Sequence, residues 1–177
     1  MCIRDRNIVF PKEIGGCLHL EKLTYAENLT FPETIDCDLD LSNLTYAKDL
    51  VLPKTMNGSL DLKNLTKIEN LKLPQYVKYS LLLNSLPSAE GLILPETIGR
   101  NLNLNGLTSA KGLVLPENIG ESLYLGNLTS AIGLVLPKTI GGGALDLGGL
   151  ISAKGLILPK STVSYTHLRA HETAANL

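Results

Sequence analysis

The chain has 177 residues, 44% hydrophobic and 19% charged, with 16 Lys and Arg against 17 Asp and Glu and no tryptophan. That balance excludes the basic excess of a nucleic-acid binder and the polybasic stretch of a membrane-surface protein. No apolar run approaches the ~20 residues of a membrane-spanning helix.

One pattern orders everything else. Pro11, Pro32, Pro53, Pro74, Pro95, Pro116 and Pro137 recur every 21 residues, and Pro159 follows after 22. A period held this strictly predicts a solenoid, in which each unit buries its apolar face against the next.

In chain order, Met1 to Arg6 stand outside the repeat, as do Val163 to Leu177. The two ends are related. A nucleotide sequence encoding Met1-Cys2-Ile3-Arg4-Asp5-Arg6 reads, as its reverse complement, Val-Ser-Tyr-Thr-His, the string at Val163 to His167. Both ends resemble translated sequencing-adapter sequence and are set aside from fold reasoning. The expected division is residues 1–6 adapter-like, 7–161 solenoid and 162–177 adapter-like. The solenoid is then an uncapped fragment of a longer repeat protein, because terminal coils need polar caps. Without Arg4, Asp5, Arg6, Arg169 and Glu172 the charge remains close to neutral and slightly acidic.

Each unit is numbered from its proline as position 0. Position 3 is Ile14, Ile35, Met56, Val77, Ile98, Ile119 and Ile140. Position 4 (Gly15, Asp36, Asn57, Gly99, Gly120, Gly141) reads as a first corner. Positions 7 to 9 read Leu-x-Leu, from Leu18 and Leu20 to Leu145 and Leu147. That alternation predicts a short strand with leucines inward. Pairs such as Asn105-Gly106 at positions 10 and 11 read as a second corner. Leu23, Leu44, Leu65, Leu86, Leu107, Leu128 and Leu150 follow at position 12, and a small residue, usually alanine, at position 15. Asn28, Asp49, Asn70, Gly91, Gly112, Gly133 and Gly155 at position 17 are residues that tolerate positive φ, a third corner. A second Leu-x-Leu at positions 18 to 20, as in Leu113 and Leu115, predicts a second strand before the proline. The expected fold is an all-β repeat solenoid of about seven 21-residue coils, its parallel strands stacked into two ladders.

The candidate chemistry is thin. His19 is the one histidine within the repeats, and it supports neither a metal site nor a triad. One carboxylate per coil and a 21-residue period do not suit calcium. No catalytic, cofactor-binding or metal-binding residue is assigned. Cys17 and Cys37, in adjacent coils, can pair, but two unreactive thiols are the favoured reading. Thr-Ser pairs such as Thr108-Ser109 and Thr129-Ser130 follow a corner and are read as turn caps rather than an ice-binding array. The fourth unit, with Tyr76, Tyr79, Leu82 and Pro87, is the least regular.

Two outward rows are candidates for binding. Positions 8 and 10 vary over a uniform core, and Asp40, Asp61, Lys63, Asn103, Asn105, Tyr124 and Asp146 form a candidate recognition face. A solvated sheet face is the equal alternative. Position 19 carries Val51 and then an unbroken β-branched stripe of Ile93, Val114, Val135 and Ile157, a candidate packing surface.

The stretches Leu113-Val114-Leu115-Pro116-Glu117-Asn118-Ile119-Gly120 and Leu107-Thr108-Ser109-Ala110 resemble bacterial leucine-rich repeats, in the subclass with Leu-x-x-Leu-x-Leu-Pro-x-x-Ile-Gly. The resemblance spans all seven units. The chain departs from the common pattern in lacking a core asparagine ladder and in carrying two Leu-x-Leu stretches, which favours a straighter, two-sheeted coil over a horseshoe. The family implies a non-enzymatic scaffold for a protein partner, on secreted or surface proteins of bacteria. The expectations are therefore a protein-interaction module, with no nucleic-acid partner and no membrane insertion, that self-associates through its uncapped ends. The alternatives are a structural spacer, or repeats attached to a catalytic domain elsewhere.

Overall fold

The computed structural model describes residues 9–158 and the backbone of Ser161–Thr162. Of the segments read above as adapter-like, 1–6 and 162–177, all but Thr162 lie outside the described residues, and the backbone of Thr162 pairs with Ile140. Among the described residues all 18 elements are strands of two or three residues. Neighbours in every sheet are parallel and usually offset by one 21-residue unit, the geometry of a β-solenoid.

The first Leu-x-Leu forms a ladder as expected. Leu18–His19, Leu39–Asp40, Leu60–Asp61, Leu81–Leu82, Leu102–Asn103, Leu123–Tyr124 and Leu145–Asp146 make one seven-stranded sheet. Its rungs are regular: Leu60 N–H donates to Ser80 O, Leu81 N–H to Asn101 O and Leu102 N–H to Ser122 O, each at 2.9 Å.

The second ladder is not where the pattern placed it. The eight-stranded sheet runs through positions 2 and 3, beyond each proline, from Glu13–Ile14, Thr34–Ile35 and Thr55–Met56 to Thr139–Ile140 and Ser161–Thr162. The second Leu-x-Leu contributes only isolated pairings, Thr30 with Val51 and Val51 with Lys72. Proline does not account for this, since in the early coils Val51 N–H still reaches Leu29 O and Phe31 N–H reaches Val51 O, both at 2.9 Å. From the fourth coil on the position 18 N–H turns back into its own coil, as in Leu92 to Ala89 O at 3.0 Å, and the pairings at position 19 stop. Beyond the proline the rungs continue into position 4, as in Gly99 N–H to Val77 O at 3.0 Å.

A third arc, over positions 14 to 16, divides the chain. In the first three coils it is a three-stranded sheet of Tyr25–Glu27, Tyr46–Lys48 and Lys67–Glu69. From the fourth coil on, position 14 is Ser88, Ser109, Ser130 and Ser152. Each hydroxyl accepts the backbone N–H two residues later at 3.2 Å. A turn then closes, with Leu92 N–H on Ala89 O and Leu113 N–H on Ala110 O at 3.0 Å. A serine that satisfies its own backbone replaces the ladder with a turn, which agrees with the capping role read from the Thr-Ser pairs.

Of the three predicted corners, position 17 behaves as expected. Asn28, Asp49 and Asn70 have φ of 53°, 48° and 52°, and Gly91, Gly112, Gly133 and Gly155 lie between 76° and 83°. The glycines at position 4 serve a different purpose. A Cβ on Gly99 would strike the Lys78 carbonyl, and one on Gly120 the Gly99 carbonyl. Gly99, Gly120 and Gly141 are glycine because the backbones of successive coils touch there, not for positive φ; Gly15 has no such contact.

Positions 3, 7, 9 and 12 fill the interior, and Leu39, Leu60, Leu81, Leu102 and Leu123 have no exposed surface. Ile14, Leu18 and Leu20 of the first coil are only partly buried, with one coil packed on them among the described residues. The extra glycine of the last unit is absorbed between ladders, since Ile119 still pairs Ile140 and Leu123 pairs Leu145. Gly143 N–H to Glu121 O and Ala144 N–H to Ser122 Oγ hold the bulge.

Candidate binding surfaces

The seven-stranded sheet brings the position 8 residues into one row. His19, Asp40, Asp61, Leu82, Asn103, Tyr124 and Asp146 are cross-strand partners in sequence. All but His19, which is exposed, are half-buried. The row also serves the local backbone. Asp40, Asp61, Asn103 and Asp146 each present Oδ1 to the backbone N–H two residues on, at 2.9–3.0 Å, and so cap the turn at positions 10 and 11. Burial pulls the Asp40 carboxyl upward. Hydrogen bonds from Ser42, with Lys63 and His19 nearby, outweigh it and hold the group below the usual carboxylate range. Lys63 Nζ lies 3.6 Å from Asp61 Oδ2, and Asn105 Oδ1 accepts the Gly126 N–H at 2.7 Å. Leu82 and Tyr124 have no group that can accept such a bond, and in the coil of Leu82 the buried Oδ1 of Asn84 has no partner among the described residues.

The Tyr-rich arc was not singled out from sequence. Tyr25 and Tyr46 pack at 5.1 Å between ring centroids, and Lys67 Nζ lies 4.8 Å from the Tyr46 centroid. Position 16 alternates in sign as Glu27, Lys48 and Glu69, and Lys48 Nζ sits 2.9 Å from Glu27 Oε1. Burial, then the hydrogen bond to Glu69 and its charge, push the Tyr46 phenol up to about 12. Bonds from Tyr46 and Lys67 hold Glu69 low, and the bond to Glu27 and its charge raise Lys48. The alternating signs at period 21 were the legible signal.

Two depressions were also missed. A groove of about 680 Å³ runs past Thr24, Thr45 and Thr66 and past Asn43 and Asn64. Its hydroxyls are committed to the wall: Thr45 and Thr66 donate to the carbonyls of Thr24 and Thr45 at 2.9 and 3.0 Å. A second, of about 480 Å³, sets Asp36 and Asp38 against Lys78 and Arg100 around Tyr79. The Arg100 guanidinium stands 4.8 Å from the Tyr79 centroid and 3.5 Å from Glu121.

The position 19 stripe is exposed as expected from Ile93 onward. Ile93, Val114, Val135 and Ile157 are 76–79% exposed, whereas Val51 is half-buried and its N–H is bonded to Leu29 O. Cys17 and Cys37 form a disulfide across coils one and two, with Cα atoms 4.5 Å apart. This corrects the favoured reading as two free thiols: coil stacking brings positions 6 and 5 of neighbouring units together, and the pairing allowed by their place in adjacent coils is the one formed. His19, Glu21 and Asp40 bring ligand atoms within 4.8 Å of one another, and no metal role is assigned to this surface cluster. No helix among the described residues is long and apolar enough to cross a membrane.

Comparison with protein-family models, with curated proteins and with solved structures finds no match to this chain.

Proposed function

We propose that the chain is a non-enzymatic binding scaffold of the leucine-rich-repeat type, part of a longer bacterial repeat protein, which engages a protein partner through the seven-stranded sheet. The observation that carries this is the contrast within that sheet. Its inward residues are all leucine, while its outward row changes chemistry from coil to coil. Because the aspartates of that row also cap turns, selectivity rests on groups that cap nothing, namely Lys63, Leu82 and Tyr124, together with the outer carboxylate oxygens. The Cys17–Cys37 disulfide supports an oxidising location, secreted or at a cell surface.

The test compares proteins retained by the immobilised chain with those retained by a Lys63→Glu/Tyr124→Ala variant of unchanged circular dichroism. Proteins held by the parent and lost by the variant support the reading. Identical sets remove this face. A second reading, a structural spacer, is favoured by the turn-capping role of Asp40, Asp61, Asn103 and Asp146, which accounts for most of the row without any ligand. Repeats beside a catalytic domain remain the third, with the chemistry outside this chain.

A further inference from the structure

The position 19 stripe lies on a different part of the surface from the proposed recognition face, and its surroundings carry their own information. Ile93, Val114, Val135 and Ile157 are each more than three-quarters exposed. Leu94, Leu115 and Leu136 beside them are only partly buried, and widen the apolar strip. Ile93, Leu94 and Glu96 line one depression with Lys72 and Gln75, so position 1 residues border the strip on the same face. That border reads Glu96, Glu117 and Lys138, all exposed. Three residues before the stripe the other border reads Glu90, Lys111, Ile132 and Lys154, also exposed. At about 4.8 Å per coil the strip is roughly 15 Å long.

The charges along both borders reverse sign from the fourth coil to the last. A copy rotated by a two-fold axis across the stripe would set Val114 on Val135 and Ile93 on Ile157 of its mate. The same operation lays Glu117 over Lys138 and Glu90 over Lys154, each twice by symmetry. A copy aligned in parallel would set Glu117 against Lys111 but Glu96 against Glu90, so its attraction and its repulsion offset. Among the described residues the antiparallel copy brings opposite charges together on both borders with no like-charge contact.

We propose that this stripe is a homodimer interface, formed by two chains packed antiparallel about a two-fold axis between the coils of Val114 and Val135. Such an interface is isologous: one patch meets itself, and every contact occurs twice. It is smaller than the roughly 800 Å² per partner of tight complexes, so the dimer is weak and is sought at micromolar and higher concentration. Glu117 and Lys138 already form a 2.7 Å pair within one chain. In the dimer each meets its counterpart from the other chain as well, making a four-charge cluster at the axis.

Sedimentation equilibrium of the whole chain, over about 5–500 µM, tests this. The expected result is a reversible monomer–dimer equilibrium that Val114→Asp and Val135→Asp each weaken at least tenfold. Both sites are surface positions, and unchanged circular dichroism verifies the fold. Glu117→Lys and Lys138→Glu should each weaken self-association, by like-charge contact with the mate. An equimolar mixture of those two variants should regain dimer, because the heterodimer restores both cross-chain pairs. The pair within one chain cannot produce that rescue. A monomer across the range, or association that survives Val114→Asp and Val135→Asp and so arises at the open coil ends, overturns the proposal. Dimer lost in the single charge variants and not regained on mixing overturns the antiparallel arrangement.

Discussion

Glycine appears at two kinds of place in this chain, and the two have different energetics. At position 17 the demand is conformational. Gly133 has φ of 81° and open space where a Cβ would go, so Gly133→Ala meets only the left-handed penalty, about 1–2 kcal/mol. Gly133→Asn should cost less, as Asn28, Asn70 and Asp49 already hold that conformation. At position 4 the demand is spatial. Gly120→Ala drives a methyl into the Gly99 carbonyl, which only a backbone shift relieves, so it should cost more than Gly133→Ala. Urea unfolding of the three variants gives the order, and equal losses at both glycines would refute the distinction. Tyr46 offers a second residue-scale test. Its raised pKa means that the folded chain holds the phenolic proton longer than the unfolded chain. The stabilisation is full below pH 10 and is lost as pH rises toward about 12. Absorbance titration should show a late-ionising tyrosine that moves lower in Glu69→Gln. For Glu69 the depressed pKa works in the opposite window, its contribution being present above the ordinary glutamate range and lost as pH falls below it.

At the scale of the element, no strand here stands alone. Two-residue strands have no stability of their own and exist because each pairs with its copies above and below. Linkage between coils therefore matters more than anything within one. The Cys17–Cys37 disulfide joins the first coil, which has a described neighbour on one side, to the second. Closing a loop of this size stabilises by about 3 kcal/mol. Cys37→Ser, or reduction, should lower the unfolding midpoint. Hydrogen exchange should locate the loss in the first two coils, with amides of the last three coils unchanged. Uniform loss along the chain would contradict that. The serine turns of the later coils make those arcs self-sufficient, whereas the Tyr-rich arc depends on its neighbours for both rungs and charge pairs.

For the whole molecule, stability is a sum over adjacent coils rather than a single core. A fully buried position in the middle, such as Leu102, should cost about 2–5 kcal/mol when changed to alanine. Leu18→Ala, at the partly buried end of the same column, should cost clearly less. Amide protection should accordingly peak near the fourth coil and decline toward both described ends, which hydrogen exchange reads directly. A flat profile would mean that the stack unfolds as one unit. The two proposed surfaces sit on different arcs of this rod, so a dimer through the position 19 stripe leaves the seven-stranded sheet open to a partner.

The repeat made much of this legible without coordinates. A strict 21-residue period with leucine at positions 7, 9 and 12 can bury its apolar residues only by stacking. Asparagine or glycine at position 17 can serve only where φ is positive. The candidate rows followed from the same period, since an outward residue in one coil is outward in all. What residue types could not reveal depends on which groups meet across coils. Both Leu-x-Leu stretches alternate alike, yet only one forms a continuous ladder, because from the fourth coil on serine turns spend the N–H of the other stretch's first leucine within its own coil. Aspartates that looked like a recognition row spend one oxygen on capping turns, a bond visible only once the corner is built. The Cys17–Cys37 pair, the Tyr46 network and the sign reversal bordering the apolar strip are likewise properties of neighbouring coils. Sequence order sets the height of each residue in the stack, but distances between side chains on adjacent coils arise only when the stack closes.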